Sequence, residues 1–267
     1  MGPIPTPGTI SFMIVPWYIT NSKFNPFGNA QCDTELCRMY RSMKKRIAIT
    51  GSKGTIGHVL IEGLKDTYDI TSLDLPNTDV RDYQKLLNIF PGHNAVIHLA
   101  WNTRIDNFRS GEIDSQNVQM FHNVFKAALE TRVPRVIMAS SVHADGFDNW
   151  QSSEMISSER TPIPDSPYGA QKVGMEAMGR YYSTKGLQVV CIRFGGVNPQ
   201  NQPAPEPPYE RAVWFSHNDC VSLVEAILEA DDIPDNFVVM YGISDNSSRI
   251  HDISNPFSWK PKDSATA

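Results

Sequence analysis

A membrane-length apolar run, an excess of positive charge and a cysteine framework are all missing from this chain of 267 residues. No stretch approaches the roughly 18 uninterrupted apolar residues that a spanning helix needs, so no membrane is expected as a partner. Lys and Arg number 24 against 29 Asp and Glu, a net charge of -5. A dedicated nucleic-acid binder usually shows a basic face, so no nucleic-acid partner is expected either. That balance does not bear on an anionic small molecule, which one well-placed arginine can hold. Four cysteines do not make a disulfide scaffold in a chain this long. Cys191 and Cys220 lie in apolar stretches and read as core residues. Cys32 and Cys37 are five apart with no His or second Cys pair nearby, so no metal is expected. The setting this implies is reducing and cytoplasmic. With 40% hydrophobic and 20% charged residues, the composition excludes collagen-like, coiled-coil and fully disordered chains. It suits one globular domain, or one with a small annex.

Periodicity is absent from residues 1–42, which hold five of the 19 prolines. The apolar stretch Ile10 to Thr20 lacks a preceding basic residue and is broken by Pro16, so it does not read as a signal peptide. A flexible N-terminal extension, or an upstream start codon taken into the gene, is the expectation. Met43 stands directly before the first strand-like run, and a single domain is expected over residues 43–267.

From Arg46 onward, strands alternate with helices. Strands are expected at Arg46–Thr50, Asp69–Leu75, Ala95–Ala100, Arg135–Ser141, Leu187–Phe194 and Phe237–Tyr241. Helices are expected near 55–65, 82–89, 114–131, 168–184 and 217–230, the last with Ser216 as N-cap and Asp219 three residues on. No internal repeat is present. Such alternation indicates right-handed βαβ units, hence an α/β fold with a doubly wound parallel sheet, a Rossmann fold. The Pro-rich stretch Asn198 to Pro208 reads as a long surface loop, and loops that long are often functional.

The first strand runs straight into Gly51-x-x-Gly54-x-x-Gly57 and then into a helix. In that context the glycines mark a dinucleotide site. The turn, with Thr55 and Ile56 opening the helix, would place pyrophosphate on free N–H groups. Asp74 lies 23 residues after Gly51, next to Leu75 at the end of the second strand, where a carboxylate holds the adenosine ribose. A 2′-phosphate beside Asp74 would be repelled, which favours NAD over NADP. Lys53 is the counter-signal, because a basic residue in this loop could contact that phosphate. Asp79 and Val80 are placed to frame the adenine.

Tyr168-Gly-Ala-Gln-Lys172 sets a phenol and an ammonium on one helix face. A free Tyr, with pKa near 10, is a poor base at neutral pH, and a nearby Lys⁺ favours the phenolate. Ser141, at the carboxyl end of the fourth strand, could hold a substrate hydroxyl for that base.

With those motifs the sequence resembles the short-chain dehydrogenase/reductase superfamily, in its extended branch, the NAD-dependent epimerase/dehydratase family. The resemblance spans about Lys45 to Ser264. It rests on the glycine spacing and on the 27-residue gap from Ser141 to Tyr168. It implies a catalytic Ser141–Tyr168–Lys172 triad, with Asn117 as the helix Asn that supports the Lys through backbone and water. It also implies cofactor contacts from Tyr168, Lys172 and the strand end His98-Leu99-Ala100, extending to Trp101. Within the branch, the chain is similar to the uronate dehydrogenases and the archaeal NAD-dependent glucose-6-phosphate dehydrogenases, short enzymes that oxidise C1 of a sugar. Ser140-Ser-Val-His143, Tyr209-Glu-Arg211, Trp214-Phe-Ser-His217-x-Asp219, Tyr241-Gly-Ile-Ser-Asp-Asn246 and Trp259-x-Pro-x-Asp-Ser264 carry that similarity. It implies that Thr103, Arg104, Ser141, His143 and Arg211 line a sugar site formed with loops near 198–215 and 242–267. A homodimer through the long helices is implied in the same way. From the residues alone, His143 could equally be a hydrogen-bonded loop residue and Arg211 a surface ion pair. Arg193 reads as structural.

Three functions fit these motifs: NAD-dependent oxidation of a small sugar or sugar acid, epimerisation or dehydration of a nucleotide sugar with NAD recycled, and non-catalytic NAD sensing. From Gly195 to Ala267 there are 73 residues, part of them the last helix and strand. A nucleotide sugar needs a larger C-terminal region, so oxidation of a small sugar or sugar acid is the expected reaction. A chain starting at Met43 is expected to fold and keep its activity. An unfolded or inactive product on deleting residues 1–42, read by circular dichroism and turnover, would overturn that domain boundary.

Overall fold

The computed structural model describes residues 44–102, 112–146, 155–205 and 208–265. Six strands form one parallel sheet: β1 (Arg46–Thr50), β2 (Asp69–Leu73), β3 (Ala95–His98), β4 (Arg135–Ser141), β5 (Gln188–Phe194) and β6 (Phe237–Gly242). Their order is β2-β1-β3-β4-β5-β6. Among the described residues the helices are α1 (Thr55–Leu64), α2 (Tyr83–Ile89), α3 (Ser115–Glu130), α4 (Pro167–Ser183), α5 (Pro208–Ala212) and α6 (His217–Glu229). The expected doubly wound Rossmann fold is the one observed.

Strand periodicity of two explains how both faces are covered. Ile47, Ile49, Ile97, Ile137, Val190 and Ile192 point to one side, where Leu60, Leu64, Leu223 and Ile227 of α1 and α6 pack on them. Their neighbours Ala48, Val96, Val136, Met138, Val189 and Cys191 point to the other, against Leu86, Phe121, Val124, Phe125 and Met175 of α2, α3 and α4. Both Cys191 and Cys220 are buried thiols. A third apolar cluster, including Val142, Ile156, Val213, Tyr241 and Ile243, lies at the carboxyl ends of β4 and β6.

Strands two and three stop short of the sequence expectation, at Leu73 and His98, because the chain there turns to line a cleft. The Pro-rich loop gives way to the short α5, which its proline content concealed. Ser216 does cap α6, accepting the Asp219 N–H at 3.0 Å. Asp219, however, does not reach back to close a capping box. The Ser216 N–H goes to Ser244 Oγ instead, and the buried Asp219 carboxylate accepts from Ser244 Oγ and from the backbone N–H groups of Lys262 and Asp263 at 2.6, 2.7 and 3.1 Å. Ser216 Oγ in turn donates to Asp263. The helix end thereby fastens the C-terminal segment. Truncating Asp219 strands these donors, each at a cost of about 1–3 kcal/mol where buried. Asp219→Ala is expected to lower stability by at least about 2 kcal/mol in urea unfolding, and an unchanged midpoint would show the carboxylate to be dispensable.

Candidate active site

The strand order reverses direction between β1 and β3, and ligands of open α/β sheets bind in the crevice at such a point. Here that crevice is a cleft of about 540 Å³. Gly51, at φ +69°, closes its inner end: a Cβ there would lie 2.6 Å from the Ala100 nitrogen, after β3. A Cβ at Gly57 would lie 2.6 Å from the Gly51 carbonyl oxygen. No side chain caps α1 at Gly54, and its first turn holds no acidic residue. Thr55, Ile56 and Gly57 line the cleft, so an uncapped helix start, with its partial positive charge, borders the space a pyrophosphate would need.

At the cleft's outer end, Asp74 is fixed by its own surroundings. Its two carboxylate oxygens accept the Lys53 and Leu75 N–H groups at 2.8 and 2.7 Å. Lys53 Nζ donates to the Leu75 carbonyl at 2.5 Å, so the counter-signal noted in the sequence sits beside Asp74. Val80 and Asp79 also line the cleft. The Asp79 carboxylate is gripped by Arg81, with Nη2–Oδ2 at 2.5 Å, which holds its pKa below the ordinary carboxylate value. Arg81 reaches on to Gln116 of α3 at 2.7 Å. Sequence reasoning missed Arg81 and Gln116; the first lies only two positions past Asp79. Leu99, Ala100 and Trp101 form the opposite wall.

Beyond that wall the structure brings Ser141, His143, Tyr168 and Lys172 together. Ser166 caps α4, accepting the Gly169 N–H at 3.1 Å, and Pro167 opens the helix. Tyr168 therefore lies in the first turn, where the helix dipole favours an anion. Burial pushes the Tyr168 phenol up, and its hydrogen bond with Ser141 opposes that shift. Ser141 Oγ also accepts the His143 N–H at 3.3 Å. The His143 ring lies 5.8 Å from the Tyr168 ring, edge to face. Its Nδ1 is 2.9 Å from the buried carboxylate of Asp165, a partner that no spacing pattern pointed out.

One turn along α4, Lys172 is buried, and its Nζ donates to the Ala139 carbonyl at 2.6 Å. Burial brings its pKa down to about 7, with Glu176, a further turn on, acting the other way. Glu176 is itself held by Arg193 at 2.8 Å and by Ser140 at 2.5 Å. Among the described residues, the hydrogen bonds of Asn117 run to the neighbours of Lys172 rather than to its ammonium. Asn117 Oδ1 accepts the Asn102 N–H at 2.7 Å, and its Nδ2 lies 3.5 Å from Gln171. It therefore clamps the chain just after Trp101 to the residue next to the lysine. Arg211 lies on α5, which packs through Tyr209 onto the cluster that holds Val142. Thr103 and Arg104 lie outside the described residues. Among the described residues, no group of His, Cys, Asp and Glu could hold a metal ion.

Fold and cleft together define a dinucleotide-dependent α/β protein. Residues 47–210 match the NAD dependent epimerase/dehydratase family, and the chain belongs to it. L-arabinose 1-dehydrogenase (NAD(P)(+)) of Haloferax volcanii is 30% identical over 82% of this chain and 97% of its own. NAD-dependent glucose-6-phosphate dehydrogenase of the same organism is 29% identical over 79% and 89%. The crystal structure of a Tyr→Ala mutant of uronate dehydrogenase from Agrobacterium tumefaciens complexed with NAD superposes with a TM-score of 0.70 at 27% identity, covering 83% of this chain and 86% of that one. NAD is the cofactor of this family, and the glycine turn, the uncapped helix start and Asp74 fit it.

The lysine makes stability depend on pH. An unfolded Lys titrates near 10.4, whereas Lys172 in the fold titrates at about 7. Between those values the unfolded chain binds more protons, so stability rises with pH. The penalty is full below pH 7 and fades towards pH 10. The stability difference between Lys172→Met and the native chain, from urea unfolding, is expected to be flat below pH 7. Above that it should move in favour of the native chain by about 1.4 kcal/mol per pH unit. A difference independent of pH would show that burial leaves the lysine unperturbed.

Proposed function

We propose that this chain is an NAD-dependent oxidoreductase that converts the C1 hydroxyl of a small sugar, sugar phosphate or sugar acid to the lactone. The observation that carries this reading is the hydrogen bond between the Ser141 and Tyr168 hydroxyls, with the Lys172 ammonium 5.5 Å from the Tyr168 ring. The three relatives, whose names specify an aldose, a sugar phosphate and a uronate, support the substrate class.

In this mechanism, Gly51, Gly54 and the first turn of α1 hold the pyrophosphate, and Asp74 holds the adenosine ribose. Leu99, Ala100 and Trp101 form the wall towards the nicotinamide end. The chemistry NAD would supply when bound is acceptance of a hydride, one proton with two electrons, from C1. Ser141 orients the sugar hydroxyl, and Tyr168 removes its proton. Tyr168 must be a phenolate to do so, and burial opposes that charge. Lys172 and the first turn of α4 provide the offsetting positive potential. Asn117 fixes the loop after β3 against α4. His143, oriented by Asp165, and Arg211, with Thr103 and Arg104, hold the rest of the sugar. A guanidinium suits the carboxylate or phosphate of an anionic substrate.

The test is NADH formation by purified protein with NAD⁺ and a panel of aldoses, uronates and sugar phosphates. At least one is expected to be oxidised. Tyr168→Phe should lower that rate by about 10²–10⁴-fold while NAD⁺ binding persists. No NADH with any of them, alongside turnover of a nucleotide sugar, would overturn the reading.

A further inference from the structure

Among the described residues, Lys172 has a single backbone acceptor in the interior, the Ala139 carbonyl. What meets its ammonium on the other side is a ring. Nζ lies 3.6 Å from the centroid of Trp101, closer than its 5.5 Å from Tyr168. The indole is itself fixed in place. It stacks on Phe121 at 6.2 Å and 13°, and meets Tyr168 edge-on at 6.1 Å and 89°. Trp101 also lines the cofactor cleft, so the buried amine lies behind its ring.

A cation over an indole face is attracted by the ring quadrupole, and the attraction is greatest when water is excluded. We propose that Trp101 is a positioning residue for this site: its face is the second partner of the Lys172 ammonium, holding it charged and beside Tyr168 in a pocket that offers it one carbonyl. The inference rests on the reading of Lys172 as the group that favours the Tyr168 phenolate, and it adds the residue that lets a buried lysine perform that task.

The surroundings isolate the lysine as a titrating group. From β3 the buried His98 faces it, pushed down to about 3 by burial and by Lys172, and so neutral. From β5 the Cys191 thiol is pushed well above its ordinary value. On α4, Tyr168 is pushed up and Glu176 is tied to Arg193. Lys172 is therefore the titrating group that meets the indole face directly, whereas His143 meets the Tyr168 ring, and the Lys172→Met control separates the two.

The test has two arms. In the first, the fluorescence of Trp101, taken as the native spectrum minus that of Trp101→Phe, is followed from pH 5.5 to 9. One transition is expected, and it should vanish in Lys172→Met. This arm needs no turnover, so it stands even if no sugar on the panel is oxidised. In the second, the alkaline limb of kcat for sugar oxidation is compared between variants. Loss of the ring face lowers the lysine pKa, so Trp101→Leu should bring that limb down by about one pH unit. Trp101→Phe, which keeps a weaker face, should move it less, and KM for the sugar should change little in either. A merely structural role would lower kcat or the melting temperature without moving the limb. Should Trp101→Leu fail to fold, the smaller shift in Trp101→Phe decides. A transition that survives in Lys172→Met, or a limb that stays in place in a folded variant, would overturn the proposal.

Discussion

Arg193 lies in the sheet with almost no exposure, and two carboxylates hold it there. Its guanidinium meets Glu176 of α4 at 2.8 Å and Asp145, after β4, at 3.2 Å. It also meets the Tyr241 hydroxyl of β6 at 3.1 Å. Asp145 is shared with Arg160 at 2.7 Å. Charges this deep are tolerated only when paired and hydrogen-bonded, and removing one partner of such a set costs about 3–5 kcal/mol. Four segments of chain must therefore arrive together: α4, the loop after β4, β5 and β6. The loop bears His143, the helix bears Tyr168 and Lys172, and Ser140, beside Ser141, donates to the same Glu176. His251 packs against Tyr241 at 4.6 Å, and burial pushes its pKa down to about 4, so it adds no charge to the set at neutral pH.

That arrangement explains how opposed requirements coexist at the site. The proposed reaction needs an ionised phenol, yet Tyr168 and Lys172 are both in places where burial disfavours charge. The compensations come from different distances. The Trp101 ring touches the ammonium, the Ser141 hydroxyl touches the phenol, the first turn of α4 acts along its axis, and Glu176 acts from one turn away. The carboxylate of Glu176 is spent mostly on Arg193, which keeps the lysine from being locked into a simple ion pair.

The parts legible in the sequence were those whose meaning lies in local spacing. The glycine turn, Asp74 and the Tyr168–Lys172 pair each follow from positions a few residues, or one βαβ unit, apart. The alternation of strands and helices gave the sheet because parallel strands buried on both faces are apolar throughout. What could not be read depends on contacts across the fold. Arg193 reads as structural on its strand, but nothing near it names Glu176 or Asp145 as partners. Asp165 stands three residues before Tyr168, and only the folded loop brings it to His143. Trp101 follows a strand end recognised by resemblance, and its contact with Lys172 spans a separation no motif encodes. The short α5 escaped notice because it opens on Pro208, the last residue of a Pro-rich stretch that suits a loop equally well.

The clasp at the start of α6 also bears on how the molecule is made. Asp219 is satisfied by backbone groups of Lys262 and Asp263, and Asn246 by that of Ala265, which come late in synthesis. Nearly all of the cofactor cleft is composed of residues before 140, yet α1, which borders it, packs on Leu223 and Ile227 of α6. Asn246 in turn holds the end of α5, donating to the Ala212 and Trp214 carbonyls. Domains generally fold as units, so a growing chain keeps its dinucleotide cradle only once the C-terminal segment has arrived to fasten α6.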